Sequence, residues 1–94
     1  MKVLKRTDAL EEFDIEKIKT SLKRASESVN EPLSDSAVNF IAEQVQKDIF
    51  SKHKDLVVYK DIHFRVVDIL KWTGFPRIAS QYDESELSRV NQVI

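Results

Sequence analysis

The sequence feature that most limits the fold is a stripe of apolar residues near the N-terminus. Its members are separated by 3, 4, 3 and 4 positions, and they are Ile15, Ile18, Leu22, Ala25 and Val29. This spacing places the side chains on one face of an α-helix, where they pack against a core. Asp14 offers an N-cap side chain in front of the stripe, and Pro32 lies beyond its other end. The pattern therefore predicts one helix that ends near Asn30.

Three more helices and three short strands are expected along the rest of the chain. Residues 2–13 predict a small β-hairpin around the polar turn 6–9, because apolar residues flank that turn. The other predicted elements are a helix that begins after Ser34 or Asp35 and ends in the polar stretch 51–55, a strand at 56–59, a helix from about Lys60 to Gly74, and a helix that begins at Phe75-Pro76. The acidic run 83–86 either interrupts this last helix or lies on its surface.

The number and size of these elements define the fold class. Three short strands cannot cover four helices, so a helix bundle with a small sheet at one end is the natural packing. One glycine and two prolines among 94 residues argue against a loop-rich or all-β fold. We expect a single domain over residues 1–94 of the α+β class, mainly α, in which a four-helix bundle is capped by a three-stranded β-sheet.

Composition removes several classes of function. The chain has no cysteine, which excludes a disulfide scaffold, a zinc ribbon and a thiol nucleophile. The sequence also lacks the signatures of a Gly-rich phosphate loop, a His-Glu-x-x-His site and a Gly-x-Ser-x-Gly site. The two histidines, His53 and His63, lie on different predicted elements and have no third soft ligand. We therefore expect no enzymatic activity and no metal site.

Charge and hydropathy indicate the environment of the domain. The formal net charge is −1, whereas domains that bind nucleic acid usually carry a basic excess, so this domain alone is not expected to bind nucleic acid. No apolar run approaches the roughly 18 residues of a transmembrane helix, and residues 1–5 lack the apolar segment of a signal peptide. A cytoplasmic domain without membrane contact is expected.

One group of charged and apolar residues is expected to collect at one end of the bundle if the strands pair into one sheet. It comprises Lys5, Arg6, Glu11, Phe13, Lys17, Ile18 and His63. Cations beside helix N-termini favour anions, because unpaired N–H groups add to the positive field. Scattered cations also occur without a function in a domain of which 33% is charged. The pattern alone therefore leaves both a phosphate site and a solvated surface open.

Two separated blocks of the sequence resemble the ATP-cone domain. The first is residues 3–18, VLKRTDALEEFDIEKI, where the family reads roughly V-x-K-R-D-G-x-x-E-x-F-D-x-x-K-I. The second is residues 57–63, VVYKDIH, followed in the family's order and spacing by Val66, Leu70, Gly74 and residues 79–82, ASQY. The resemblance is strongest over residues 2–83.

This resemblance implies a fold and a function. ATP-cones are four-helix bundles capped by a three-stranded sheet, and they act as non-catalytic regulatory domains that bind ATP or dATP, with Mg²⁺ as a candidate companion ion. They occur in the large subunits of ribonucleotide reductases and in the bacterial repressor of the reductase genes. The implied partners are an adenine nucleotide and either a second copy of the chain or a regulated protein. Without cysteines for the repressor's zinc ribbon or room for the reductase barrel, the chain is expected to be a free-standing or excised cone.

A second interpretation stays open beside this one. A degenerate cone that has lost its nucleotide would persist as a helical protein–protein interaction module. Exposed aromatic residues would favour this interpretation if they formed one patch, and the candidates are Phe40, Phe50, Phe64 and Trp72. The apolar tail is a candidate surface for self-association, and it comprises Leu87, Val90, Val93 and Ile94.

Carried over position by position, the resemblance implies where phosphate and base would bind. Lys5 and Arg6 match the family's Lys-Arg pair that contacts phosphates. Glu11 matches the acid that accepts a hydrogen bond from the adenine amino group. Each has an ordinary alternative, because the two cations could be a solvated strand end and Glu11 a surface charge.

The start of the first predicted helix matches the part of the family that lines the base pocket. Asp14, Lys17 and Ile18 are the matching residues, and Asp14 is a helix cap in either interpretation. Lys17 could instead pair with Asp14 or Glu16 at close helical spacing. Ile18 could belong to the core alone.

The start of the third predicted helix supplies the remaining site residues. Ile62 and His63 match an Ile-His pair near the base and the sugar–phosphate, although Ile62 could be core alone and His63 a satisfied, half-buried histidine. Tyr59 stands where a small hydroxyl residue is common, and it could fill part of the sugar pocket or stack on a base. Thr7-Asp8 stands in place of the usual Asp-Gly, so the turn could differ, and Arg89 is a candidate for a further phosphate contact.

Overall fold

Four helices and three short strands follow one another in the predicted order. The computed structural model describes residues 1–92, with side chains as far as Glu84. The elements are β1 (Lys2–Leu4), β2 (Leu10–Glu12), α1 (Ile15–Ser28), α2 (Asp35–Lys52), β3 (Leu56–Val58), α3 (Tyr59–Trp72) and α4 (Pro76–Gln92). Helix α4 continues through the acidic run 83–86, which therefore does not interrupt it. The predicted α+β class, mainly α with a small three-stranded sheet, is confirmed.

Strand β1 is the centre of the sheet. It pairs antiparallel with β2 in a hairpin and parallel with β3, which gives the order β2-β1-β3. Val3 lies between Glu11 on one side and Val57 on the other. Val3 and Val57 are buried, so this row of side chains faces the helices. Glu11 shares the row, because directly opposite residues point to the same face of a sheet, and it therefore lies on the bundle side at the sheet's edge.

The hairpin turn uses a left-handed residue where the sequence has no glycine. Asp8 has a φ of 65°, a region that glycine adopts most easily and aspartate tolerates. The turn is closed by two backbone hydrogen bonds, from Lys5 N–H to the Ala9 carbonyl at 2.9 Å and from Asp8 N–H to the Lys5 carbonyl at 3.0 Å. Asp8 thus supplies the backbone conformation for which a glycine would be favoured at this position.

Helices α1 and α2 begin after the predicted capping residues. The Asp14 side chain accepts a hydrogen bond from the Glu16 N–H at 3.0 Å, and the Ser34 hydroxyl oxygen accepts one from the Ala37 N–H at 3.1 Å. Such acceptors satisfy backbone donors that have no partner inside the helix. The second helix therefore begins after Ser34, one of the two caps expected.

Helices α1 and α3 end in the same backbone arrangement. Asn30 with a φ of 53° and Gly74 with a φ of 92° are both left-handed. The N–H of the residue after each donates back into the helix, to the Ser26 carbonyl at 3.0 Å and the Leu70 carbonyl at 2.8 Å. These are Schellman motifs, in which the last carbonyls of a helix find donors. The predicted ends near Asn30 and at Gly74 are confirmed.

The core lies where the four helices meet beneath the sheet. Helix α1 packs against α2 and α4, and α3 packs against the same two helices, so the four form a closed ring. Every helix contributes a large, fully buried side chain, and examples are Leu22, Ile41, Leu70 and Ile78. In the apolar stripe of α1, the middle residues are buried whereas Ile15 and Val29 at its ends are half-buried.

The four aromatic residues that are candidates for an interaction surface are all exposed. Phe40 and Trp72 line a groove between α2 and α3. Phe50 packs edge-on against Phe13, with 5.2 Å between ring centroids, and Phe64 packs edge-on against the neighbouring ring of His63. Phe40 and Trp72 therefore share one groove, whereas Phe50 and Phe64 each contact the ring of another residue.

Candidate functional site

A cavity of about 190 Å³ lies beneath the sheet, between the start of α1 and the start of α3. Seven of the nine predicted site residues line it, and these are Glu11, Asp14, Lys17, Ile18, Tyr59, Ile62 and His63. Five further residues complete the lining, and they are Val3, Glu12, Phe13, Ser21 and Tyr82. The structure thus brings together residues that are separated by some forty positions in the sequence.

The short strands explain why both helices reach the same cavity. Strand β2 leads through Phe13 and Asp14 directly into α1, and β3 leads without a loop into Tyr59 of α3. The two helices begin at opposite ends of the sheet, because β2 and β3 run in opposite directions along β1. Strands of three residues are only roughly 10 Å long. The first turns of α1 and α3 therefore lie on either side of one small space.

Glu11 holds two lysines at the edge of the cavity. Lys17 Nζ lies 2.9 Å from Glu11 Oε1, and Lys5 Nζ lies 3.3 Å from Oε2. The hydrogen bond from Lys17, and after it the one from Lys5, lowers the pKa of the Glu11 carboxyl below its ordinary value. The same contact with Glu11 raises the pKa of Lys17. The three groups together carry one net positive charge and offer both ammonium donors and a carboxylate acceptor.

The observed partner of Lys17 differs from the two intrahelical partners considered from the sequence. Lys17 binds Glu11 of β2 across the cavity edge, whereas Glu16 is paired with Lys19 at 3.3 Å. Asp14 uses its carboxylate to cap the helix. Spacing along a helix could not reveal the Glu11 contact, because it depends on how the hairpin lies over α1.

Lys5 and Arg6 do not line the cavity itself. Lys5 reaches its edge through Glu11, with half of its own side chain exposed. Arg6 lies in the exposed hairpin turn directly after β1. The phosphate pair expected from the resemblance is therefore at the rim of the cavity and beside it, and its role stays a prediction.

The inner wall of the cavity is apolar and aromatic. Ile18 is 7% exposed and belongs to the core, and Ile62 packs against the same core while lining the cavity. Each isoleucine is therefore both a core residue and a wall residue. Tyr82 of α4 is also 7% exposed, and its ring stacks on His63 with 5.5 Å between centroids and 25° between planes.

His63 is held from the far side by a residue that sequence reasoning missed. Its Nε2 lies 2.6 Å from Oδ1 of Asp83 in α4, and its buried Nδ1 has no hydrogen-bond partner among the described residues. Asp83 lies twenty positions further along the chain, inside an acidic run typical of a solvated surface. Tyr82 was expected to face inward, but nothing in the periodicity of α4 connected either residue with His63.

A metal site and a membrane-spanning helix are absent from the described part of the chain, and some of the predicted contacts lie outside it. Among the described side chains, which end at Glu84, no group of three or more His, Asp or Glu residues is arranged to hold a metal ion. No helix in the same part of the chain is long and apolar enough to cross a membrane. The side chains proposed for self-association (Leu87, Val90, Val93, Ile94) and for a further phosphate contact (Arg89) lie outside the described residues.

Comparison with known proteins identifies one family. A family model described as the ATP cone domain matches residues 1–85. No curated protein matches the chain. The match covers both sequence blocks on which the resemblance rested, as well as every residue described here as lining the cavity.

Proposed function

Because the chain belongs to the ATP-cone family, we propose that the cavity beneath its sheet binds ATP or dATP. ATP cones are regulatory, nucleotide-binding domains, and they are not catalytic domains. The proposal goes further in assigning the ligand to this cavity and to the residues around it. The observation that carries it is the pair of lysines that Glu11 holds at the edge of an apolar pocket.

The cationic rim suits a triphosphate. Lys5 and Arg6, which follow β1, and Lys17 in the first turn of α1 would donate charge-assisted hydrogen bonds to phosphate oxygens. Asp14 occupies the cap of α1 with its own carboxylate, so the bare helix N-terminus is not where the phosphates are expected. They are instead assigned to the cationic rim of the cavity, where the long side chains of Lys5 and Lys17 would extend away from Glu11 to reach them.

The apolar wall suits a purine base and its sugar. Ile18 and Ile62 face the cavity from opposite helices, which would let them pack on the two faces of a flat ring. Glu11 would accept a hydrogen bond from the adenine amino group, since a carboxylate can accept more bonds than its two lysines use. Tyr59 and His63, near the start of α3, would then border the sugar.

Regulation of a partner is the second part of the proposal. The chain would report the state of the adenine nucleotide pool to a partner protein or to a second copy of itself, and ribonucleotide reduction is the process we assign it to. Nucleotide-dependent dimers or larger species are expected. Analytical ultracentrifugation with and without ATP or dATP tests this, and a monomer at high concentration in both states would count against it.

A thermal-shift titration tests the nucleotide site directly. ATP and dATP should raise the melting temperature, because a ligand at 100 times its dissociation constant adds about 2.7 kcal/mol to the stability of the folded state. ADP measures the part played by the terminal phosphate, GTP the part played by the base, and each is measured with and without Mg²⁺. No shift with millimolar ATP or dATP would contradict the proposal.

One observation favours a second candidate function, protein–protein contact without a nucleotide. Trp72 is 90% exposed and Phe40 is 53% exposed beside the same groove between α2 and α3. Exposed aromatic side chains are common at the centres of protein interfaces. If ATP and dATP fail to stabilise the chain while Trp72→Ala lowers its affinity for a partner protein, this function replaces the first.

A further inference from the structure

A carboxylate on α4 reaches the proposed nucleotide site from outside. Asp83 Oδ1 lies 2.6 Å from His63 Nε2, yet Asp83 does not line the cavity that His63 lines. The His63 side chain is 14% exposed and the Asp83 side chain 47% exposed. The pair therefore joins a cavity wall to a more exposed residue on the neighbouring helix.

The imidazole ring of His63 is positioned by ring contacts and by its hydrogen bond to Asp83. The stack on Tyr82 fixes the plane of the ring, and Phe64 contacts it edge-on with 5.7 Å between the ring centroids. A stack leaves open which edge of the ring faces which way, because turning the ring over preserves the stacked plane. The hydrogen bond to Asp83 is selective, since it requires Nε2 to face α4.

The same hydrogen bond decides where the proton of a neutral His63 resides. An ionised carboxylate has no hydrogen to donate, so the hydrogen in the contact belongs to Nε2. A neutral imidazole carries one hydrogen, and Nδ1 is then an acceptor. Nδ1 is the buried atom without a partner among the described residues. Phosphate oxygens are acceptors too, so a neutral His63 held in this way has no hydrogen at Nδ1 to offer them.

We infer that Asp83 is a positioning residue for the nucleotide site: it fixes the orientation and the Nε2–H tautomer of His63 before the ligand arrives. The inference rests on the proposed function, in which His63 borders the ligand. A wall residue fixed in advance loses less conformational freedom on binding than a mobile one. Asp83 therefore contributes to nucleotide affinity without touching the nucleotide.

The experiment compares three variants in two readouts. Asp83→Ala removes the acceptor, Asp83→Asn keeps a carbonyl oxygen that can accept from Nε2–H, and Glu84→Ala is the matched control one position away on the exposed surface of α4. Isothermal titration calorimetry measures ATP affinity. Imidazole ¹⁵N chemical shifts, recorded over a pH series, report which ring nitrogen of neutral His63 carries the hydrogen.

The expected results separate positioning from a structural contribution. Asp83→Ala should weaken ATP binding by roughly threefold to tenfold, the range of one lost hydrogen bond, and replace the single Nε2–H tautomer with a mixture. Asp83→Asn should retain most of the ATP affinity and of the Nε2–H tautomer, and Glu84→Ala should change neither the affinity nor the tautomer. Thermal unfolding of each free variant checks that it is folded.

Three results would overturn the inference. The first is an Nδ1–H tautomer in the unaltered protein, and the second is a tautomer that Asp83→Ala leaves unchanged. The third is unchanged ATP affinity in Asp83→Ala while the unaltered protein binds ATP. If the unaltered protein binds no nucleotide, the proposed function fails and the nucleotide role of Asp83 fails with it, whereas the chemical shifts still decide whether Asp83 positions the ring.

Discussion

The Nζ atom of Lys17 lies 2.9 Å from Oε1 of Glu11, which ties the first turn of α1 to the edge strand of the sheet. The other oxygen of Glu11 is occupied by Lys5 at 3.3 Å. In the free protein, one carboxylate therefore holds two cations beside the cavity and lowers their mutual repulsion. A bound triphosphate would compete with Glu11 for these same ammonium groups.

Removing a rim cation should weaken triphosphate binding while leaving the fold intact. Lys5→Ala and Arg6→Ala should each lower ATP affinity by roughly tenfold, because each removes a charge-assisted hydrogen bond to phosphate. Stability should change by no more than about 0.5 kcal/mol, as is usual for exposed side chains. Calorimetric titration beside urea unfolding measures both effects.

The controls for this prediction are a remote lysine and a conservative replacement. Lys47→Ala removes an exposed cation on α2 and should leave affinity unchanged. Arg6→Lys should restore only part of the loss, since an ammonium cannot make a forked contact with two phosphate oxygens. If Lys5→Ala and Arg6→Ala bind ATP as tightly as the unaltered protein, the phosphate assignment is wrong.

Glu11 should make the stability of the free protein depend on acid pH. Its pKa is lowered in the folded state from a reference value of 4.5, chiefly by Lys17. The stability that the contact supplies is therefore present above the unfolded pKa and is lost as the pH falls through the folded pKa. Urea unfolding of Glu11→Gln should show a shallower loss of stability below about pH 4.5 than the unaltered protein.

The comparison must be made between these two proteins, because Glu12 acts in the same direction. Lys2 lowers the pKa of Glu12 through a contact of 2.6 Å, so part of the acid dependence survives in Glu11→Gln. If the stability of the two proteins falls equally with pH, the lysine contacts do not lower the pKa of Glu11.

The stability of the domain should depend strongly on which residue replaces Asp8 in the hairpin turn. Asp8→Val should destabilise the domain by about 1–2 kcal/mol, because a β-branched residue adopts a φ of 65° with difficulty. Asp8→Gly should be neutral or slightly stabilising, since the gain in the turn is offset by the greater freedom of glycine in the unfolded chain. Thr7→Val, at the neighbouring position without a positive φ, is the control. Equal stability of the two valine variants would refute the assigned conformation.

Ile18 should link core stability to ligand binding. Ile18→Ala should lower the free energy of unfolding by about 2–5 kcal/mol, because removing most of this buried side chain leaves a cavity in the core. It should also weaken ATP binding, since the same side chain forms a wall of the pocket. Thr20→Ala, on the exposed face of the same helix, should affect neither quantity strongly. A loss of affinity without a loss of stability would assign Ile18 to the pocket alone.

Local sequence signals were sufficient for the elements of the fold. The stripe around Ile18 and Leu22, the caps at Asp14 and Ser34, and the helix end at Gly74 are each determined by residues within a few positions. The order and direction of the strands in the sheet could not be predicted from such local signals. Strands of three residues carry too little pattern to specify a partner, so the central position of β1 and its parallel pairing with β3 emerged only from the structure.

For the candidate site, too, the sequence indicated the residues but not the contacts between them. The family resemblance pointed to residues in β2, α1 and α3 that lie around one cavity. It did not show that Glu11 binds Lys17, or that Asp83 binds His63. Both contacts join different elements, over 6 and 20 positions, and depend on how those elements pack. Interactions of this kind leave no periodic trace in the sequence.

The parallel pairing of β1 with β3 has a kinetic consequence. Lys2 lies beside Leu56, so the intervening chain must be closed into a long loop before these two strands can form a ladder. The hairpin and the separate helices need only local contacts, and these form faster than distant ones. The cavity is lined by Ile18, which lies within that loop, and by Ile62, which follows it in the chain. During refolding, competence to bind a ligand should therefore develop late, after most of the helical signal has been regained.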